Sequence, residues 1–338
     1  MKGETKSRLY AVEGSTAVPA VEPEPRQVEE VFADMTDEAK REGGPATPPP
    51  RSRKAKTYAP LADPILDEMV RNADEDRWLA SRFAPKPLRR QLTALYAFNI
   101  EVASVADKVG EPRLGEIRLQ WWRDSVGSIF QGGPIPDHPV TRALAELRNQ
   151  ADLPLNVFDE LLTARVSDLS HAPFETWGDV DNYIDATEGG LMRMAALLCQ
   201  PEATASSQRA SALQAAARAW GYVKLLRALP AWTAQQRTFF PRALRANIVQ
   251  GSDPVEIDNA GLAMAAHAVL DRAAGAQKNL ERFASALGKD LFPGVGYVAL
   301  TPMYTREQSQ RELGQIRKPV SLLQRQLKLV AAAAVGHI

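Results

Sequence analysis

From Asp63 onward, apolar residues recur at spacings of three and four, with almost none of the period-two alternation that marks strands. The pattern predicts an all-α chain. Asp63 with Pro64, and Lys86 with Pro87, place proline where a first helical turn tolerates it, so helices are expected over 64–83 and 87–109. Glu111 and Pro112 open the next, which stops around Gly132, Gly133 and Pro134. Further helices are expected over 138–150, 154–169 and 178–199, the last interrupted by Gly189 and Gly190, a pair that marks a kink or a close backbone approach. An Ala-rich helix over 204–229 ends at Pro230, and helices over 255–287 and about 304–330 complete the set.

Residues 1–57 have a different texture. Seven prolines and only two aromatics, Tyr10 and Phe32, leave too little apolar surface to offset the entropy of ordering. The segment reads as a disordered tail, with at most a short helix over 28–40 and a basic cluster at its end (Arg51, Arg53, Lys54, Lys56), and 58–338 as one helical domain. With 41 Lys and Arg against 41 Asp and Glu, the net charge of zero speaks against nucleic acid as a partner. One cysteine, Cys199, rules out an internal disulfide and a cysteine-cluster metal site, and four histidines make a His-based zinc site a poor prospect; any metal would be held by carboxylates. No run of 18 apolar residues exists, and the start of the chain has neither a secretory signal nor the acid-poor character of a mitochondrial presequence. The chain reads as cytoplasmic, with peripheral contact at the inner membrane compatible with this composition.

Two segments carry candidate chemistry. The first runs from Leu95, Tyr96, Ala97 and Phe98 to Asp107, Glu111 and the helix containing Gly115, Arg118, Trp121, Trp122 and Arg123. Asp107 and Glu111 share a face if their helix persists to Pro112, and Arg118, Trp122 and Ser125 fall on one side of the next helix. Arg118, set between Ile117 and Leu119, needs a carboxylate or phosphate if it faces inward. The second segment runs from Trp220 through Lys224, Leu225, Leu226, Arg227 and Pro230 to Arg237, Phe239 and Pro241.

Together the two segments resemble the squalene/phytoene synthase family, over about residues 70–330. The resemblance implies an all-α, isoprenoid synthase type domain around a central apolar cavity, with two aspartate-rich motifs on facing helices that hold magnesium and diphosphate. Leu95, Tyr96, Ala97 and Phe98 match the first motif, but Ala103 and Ser104 stand for its aspartate pair and only Asp107 keeps an acid. Leu225, Leu226, Arg227, Arg237 and Pro241 match the second, with Phe239 in a tyrosine place, but Ala228, Ala231 and Trp232 stand where its acids belong. Gly115 to Trp122 is most similar to a divergent branch that includes a mitochondrial assembly factor for respiratory complex I and alphaproteobacterial relatives.

Magnesium reaches phosphates through carboxylate ligands, and the stabilisation it gives a leaving diphosphate is worth several kcal/mol, on the order of a thousandfold or more in rate. With five of six acids replaced, the expectation is a non-catalytic protein with no cofactor. It would bind an isoprenoid or lipid-like ligand or a client protein, and the resemblance implies a role in complex I assembly. Candidate cavity residues are Tyr96, Phe98, Asp107, Arg118, Trp122, Arg123, Tyr183, Arg227 and Arg237. Without compensating acids, Arg118, Arg123, Arg227 and Arg237 would bind a phosphate-bearing isoprenoid directly, while Asp107 reads as a structural counter-ion for the arginines. The alternative is a prenyltransferase whose Mg2+ site is rebuilt from acids such as Glu101, Glu111, Asp181, Asp185 and Glu188, although Asp181, Asp185 and Glu188 read first as a solvated helix face. A third reading, weak contact with a membrane surface, draws on Arg317, Lys318, Arg325, Lys328 and the apolar run 329–335.

Overall fold

The computed structural model describes residues 63–235, 237–245, 249–250, 256–257, 259–309 and 320–336. The expected tail, its basic cluster, Arg317 and Lys318 lie outside the described residues.

Helices α1 (Asp63–Ala73) and α2 (Glu75–Ser81) occupy the stretch expected as a single helix. The break falls at Asp74, whose φ of −145° is extended and whose carboxylate turns to accept from Arg77 Nη1 at 2.5 Å. Pro87 in the first turn opens α3 (Lys86–Ala103), followed by the single turn α4 (Val105–Lys108). Val109 and Glu111 are then extended, so Asp107 and Glu111 share no helix face, a correction to the sequence expectation. Proline also sits in the first turn of α5 (Pro112–Phe130) and α6 (Pro139–Gln150); the latter is capped by His138, whose ring nitrogen accepts from Val140 N at 3.2 Å. α7 (Leu155–Val166) runs into a short 3-10 turn over Ser167–Leu169.

Thr176 and Asp179 form a reciprocal capping box that starts α8 (Trp177–Ile184). The glycine pair beyond it closes a π-turn, Asp185–Gly189, before α9 (Gly190–Cys199). The extra residue of a π-turn rotates the side chains on either side of it, and here it carries Glu188 inward. The long α10 (Ser207–Ala234) runs through Pro230 rather than ending there. Proline deletes one backbone hydrogen bond, yet Gln235 N closes back on Ala231 O at 3.2 Å and Arg237 N on Trp232 O at 2.8 Å, which completes another turn.

After α11 (Arg242–Arg245), Val249–Gln250 pair with Glu256–Ile257 in a two-stranded antiparallel ladder, so α12 (Asn259–Phe283) starts later than the expected 255. α13 (Phe292–Val295), a 3-10 turn over Gly296–Leu300, α14 (Thr301–Ser309) and α15 (Leu322–Val335) follow. Residues 296–309 and 322–335 thus fall in separate elements where one helix over about 304–330 was expected.

The helices bury two apolar clusters. One gathers Leu95, Phe98, Trp122 and Phe158 among α3, α5 and α7; the other gathers Trp220, Phe239, Val269 and Tyr297 around α10 and α12. α9 serves both, giving Leu191, Met194 and Leu198 to the first and Met192 and Ala196 to the second. Close approach at this junction requires Gly294, where a Cβ would lie 2.8 Å from the Ala195 carbonyl oxygen.

Candidate functional site

The interior is not apolar throughout. Arg77 on α2 is fully buried, with its guanidinium 4.7 Å from the ring centre of Tyr297 and 5.7 Å from that of Tyr96. It donates to Asp74 and to Glu188, and Lys224 Nζ of α10 donates to the second Glu188 oxygen at 2.9 Å. Burial pushes the Glu188 carboxyl pKa up, but Lys224, Arg77 and Arg165 outweigh it, and the group stays ionised well below the usual carboxylate range. The two acids and two cations balance. Tyr297 shows what burial does in the same place without enough compensation: its phenol is pushed up to about 12.

A second polar cluster occupies the first motif. Asn99 is buried and accepts from Arg165 Nη2 at 3.4 Å. Arg165 Nη1 also donates to Asp168 at 3.1 Å and to the Tyr183 hydroxyl at 2.8 Å, while Tyr183 donates to Asp168 at 2.7 Å. From the second motif, Arg237 donates to the Asp168 carbonyl oxygen, stacks 4.6 Å above the ring of Trp232, and lies 3.5 Å from Asp107. A single guanidinium therefore ties the retained acid of the first motif to the tryptophan that replaces an acid of the second.

Ala228, another acid replacement, lines a recess of about 560 Å3 with Asp76, Lys224, Arg227, Tyr304 and Arg325. Asp76 accepts from Arg227 at 3.1 Å, from Arg325 at 2.9 Å and from the Tyr304 hydroxyl at 2.7 Å; Arg325 also reaches Glu75 at 2.5 Å. Arg227 lies 4.0 Å over the Tyr304 ring.

The other candidates are dispersed. Tyr96, Phe98 and Trp122 are core residues: Tyr96 donates to the Gly294 carbonyl at 3.0 Å, and Phe98 packs edge-on against Trp122 and Phe158. Arg118 faces solvent and lines a small recess with Trp121, Trp122 and His138 instead of turning inward. Arg123 bonds Asp159 at 2.6 Å on the outer surface. The expectation of four uncompensated arginines is corrected: Arg123, Arg227 and Arg237 each have a carboxylate partner, and Arg118 stands apart from them.

The acid stripe is corrected as well. Asp185 forms a two-pronged pair with Arg218 at 3.0 and 2.8 Å, Asp181 accepts from Tyr222 and sits 3.6 Å from Arg218, and Glu188 is buried. None of the three forms a freely solvated face. Among the described residues, no group of three or more His, Cys, Asp and Glu side chains is arranged to hold a metal ion. The sequence reading missed Arg77, Arg165 and Asp168. Arg165 left a signal, since it stands three and four residues after Leu162 and Leu161, in an apolar phase of its helix.

The family model for squalene/phytoene synthase matches residues 70–324. The chain belongs to the squalene/phytoene synthase family. Two solved structures share the fold of this family member: a squalene synthase, HpnC, from Alicyclobacillus acidocaldarius (TM-score 0.55, 20% identity, covering 80% of this chain and 93% of that one) and a dehydrosqualene synthase in complex with ligand (TM-score 0.57, 15% identity, 80% and 94%). In sequence it is similar to NADH dehydrogenase (ubiquinone) complex I, assembly factor 6, of Mus musculus, at 27% identity over 174 residues, 52% of this chain and 51% of that protein. The Drosophila melanogaster homolog of that factor is 30% identical over 178 residues, 51% and 52%. The chain thus spans about half the length of the curated relatives it matches.

Proposed function

We propose that this family member is non-catalytic and acts by binding a client protein during assembly of respiratory complex I. One observation carries the non-catalytic part: at the six motif positions there is one carboxylate, Asp107, and it already faces Arg237. Magnesium takes several oxygen ligands in near-octahedral geometry, and Ala103, Ser104, Ala228, Ala231 and Trp232 offer no second carboxylate. Of the acids of the alternative Mg2+ site, Asp181, Asp185 and Glu188 are engaged by Arg218, Arg77 and Lys224 and Glu101 pairs with Lys108 at 3.3 Å, while Glu111 stands exposed at the start of α5. The residues do not fit the ion, and the reading needs no cofactor.

The assembly role rests on similarity to the assembly factor 6 proteins. No described helix is long and apolar enough to cross a membrane, and the proposed place of action is the cytoplasmic side of the inner membrane, where a client membrane complex is built. The cations that line the Ala228 recess are already paired, Arg227 and Arg325 with Asp76 and Lys224 with Glu188, and so are poorly placed to bind a diphosphate, which favours the client protein as the principal partner.

Two measurements test this. Full-length protein incubated with farnesyl diphosphate and Mg2+ should release no diphosphate above background; turnover that disappears in Asp107→Ala would overturn the non-catalytic reading. Deleting the gene in its own host should lower assembled NADH dehydrogenase on native gels while other respiratory complexes stay constant. An unchanged level sinks the assembly role.

A further inference from the structure

A groove of about 390 Å3 lies among α1, α3 and α6; it contains none of the motif positions and shares no lining residue with the Ala228 recess. Its floor is apolar. Leu66, Ala94 and Leu147 are buried, and half-buried Ala143 lies one turn before Leu147. Pro139 and Gln150, at the two ends of α6, both line the groove, so it runs about 16 Å at 1.5 Å per residue. Its charge is one-sided: Lys86, Arg90 and Arg142 face it with one acid, Glu146. Lys86 and Arg90 stand one turn apart at the start of α3, the positive end of the helix dipole, where no side chain caps the helix. Lys86 is exposed and pairs with no described carboxylate, whereas Arg142 is held by Asp137.

We propose that this groove binds a single-chain amphiphile with an anionic head, a fatty acid or its like, the head at Lys86 and Arg90 and the chain over Ala94, Leu66 and Leu147. The volume falls within the range of small-molecule sites, about 300–1,000 Å3. A peptide fits less well. The backbone groups of the three helices are bonded within those helices, so an extended peptide on this floor would leave its own N–H and C=O groups unpaired. A single helical turn, about 10 Å across and 5.4 Å long, already fills about 420 Å3, more than the groove holds along all of α6. The cations then choose between chains: a neutral one sets nothing against Lys86 and Arg90, whereas a carboxylate or phosphate there gains charge-assisted hydrogen bonds. The site is independent of the client-binding reading and stands without it.

Lauric acid is the probe, titrated below its micelle concentration into the full chain and followed by calorimetry. Saturable one-to-one binding is expected. Dodecanol and acetate, which carry the chain and the head separately, should each bind about tenfold more weakly or worse. Lys86→Glu should weaken laurate by at least about tenfold, and Ala143→Trp, which fills the groove from its half-exposed side, should abolish binding. Circular dichroism melts of both variants should match wild type; if Ala143→Trp melts lower, Lys86→Glu alone decides. Absence of saturable binding overturns the proposal, and so does a laurate affinity that a folded variant leaves unchanged. Dodecanol binding as tightly as laurate overturns the anionic head. Phosphatidylglycerol vesicles separate a free amphiphile from a bilayer: co-sedimentation that depends on Lys86, with no binding of laurate, would assign the groove to a membrane surface and overturn the site.

Discussion

The places where acids are missing and the places where acids are gathered make an instructive pair. At the motif positions, Ala103, Ser104, Ala228, Ala231 and Trp232 leave one carboxylate, and Arg237 spans the space between the motifs by pairing with Asp107 and stacking on Trp232. Along α8 and the π-turn, three acids stand within eight residues, yet Arg218, Tyr222, Arg77 and Lys224 engage them all. Neither region offers a metal the oxygen ligands it needs, for opposite reasons. A carboxylate is a potential ligand only when the fold leaves it without a cation, so a count of acids says little until their partners are known. The two regions also differ in depth: Glu188 and Arg77 are buried, while the Asp107 side chain is 60% exposed. That difference sets the order of the expected effects.

The largest belongs to Arg77. Replacing it with Met leaves Asp74 and Glu188 facing each other's charge without their shared cation, and removing one partner of a buried pair typically costs about 3–5 kcal/mol. Urea unfolding of Arg77→Met should show a loss of that size, and Arg77→Met with Glu188→Leu should recover part of it. A loss below about 1 kcal/mol in the single variant would show that the buried seam is not a structural tie, since that is the range of exposed pairs.

Acid titration comes next. Because the Glu188 carboxyl lies below the usual carboxylate range in the folded chain, the unfolded chain takes up its proton first as pH falls. The stability contributed by its ion pairs is therefore fully present above that range and is lost progressively as pH drops below it. Glu188→Gln should flatten the acid limb of a plot of unfolding free energy against pH and lower the plateau at neutral pH. An acid limb identical to wild type would assign the effect to other groups.

Arg237 should matter less. Arg237→Ala removes a largely buried guanidinium with hydrogen bonds to the Asp168 carbonyl and to Gln235 and one aromatic stack, together worth about 1–2 kcal/mol in unfolding measurements. A Tm equal to wild type would mean that the two motifs are not joined there. Adding Ala228→Asp to this variant should still give no Mg2+-dependent diphosphate release, because one restored acid and Asp107 fall short of the ligand set.

These sites were unevenly legible in the sequence. Proline-led starts at Pro87 and Pro112 and the apolar spacing made the helical class and most helices readable, since both signals are local. Pro230 misled because a proline can be absorbed when the following turn closes on other carbonyls. Missing motif acids were readable only once the two segments were matched to the family's motifs. The buried seam was not: Arg77 pairs with Glu188, 111 positions away, and neither residue's neighbours announce the other. Arg237 as a tie between the motifs was likewise invisible until Asp107 and Trp232 were placed beside it.

The smallest effect is expected at Asp107, and it tests the contrast most directly. Its carboxylate lies 3.5 Å from Arg237 but is mostly exposed, so solvent and salt screen the pair, and such contacts contribute about 0–1 kcal/mol. Asp107→Asn keeps the shape and removes the charge. Its unfolding free energy should fall by no more than about 0.5 kcal/mol at low salt, near the middle of that range, and the difference should shrink further at 1 M NaCl. A loss of several kcal/mol, insensitive to salt, would mean that Asp107 is coupled to the buried cluster through Arg237 and Asp168, and the two regions would then form one network.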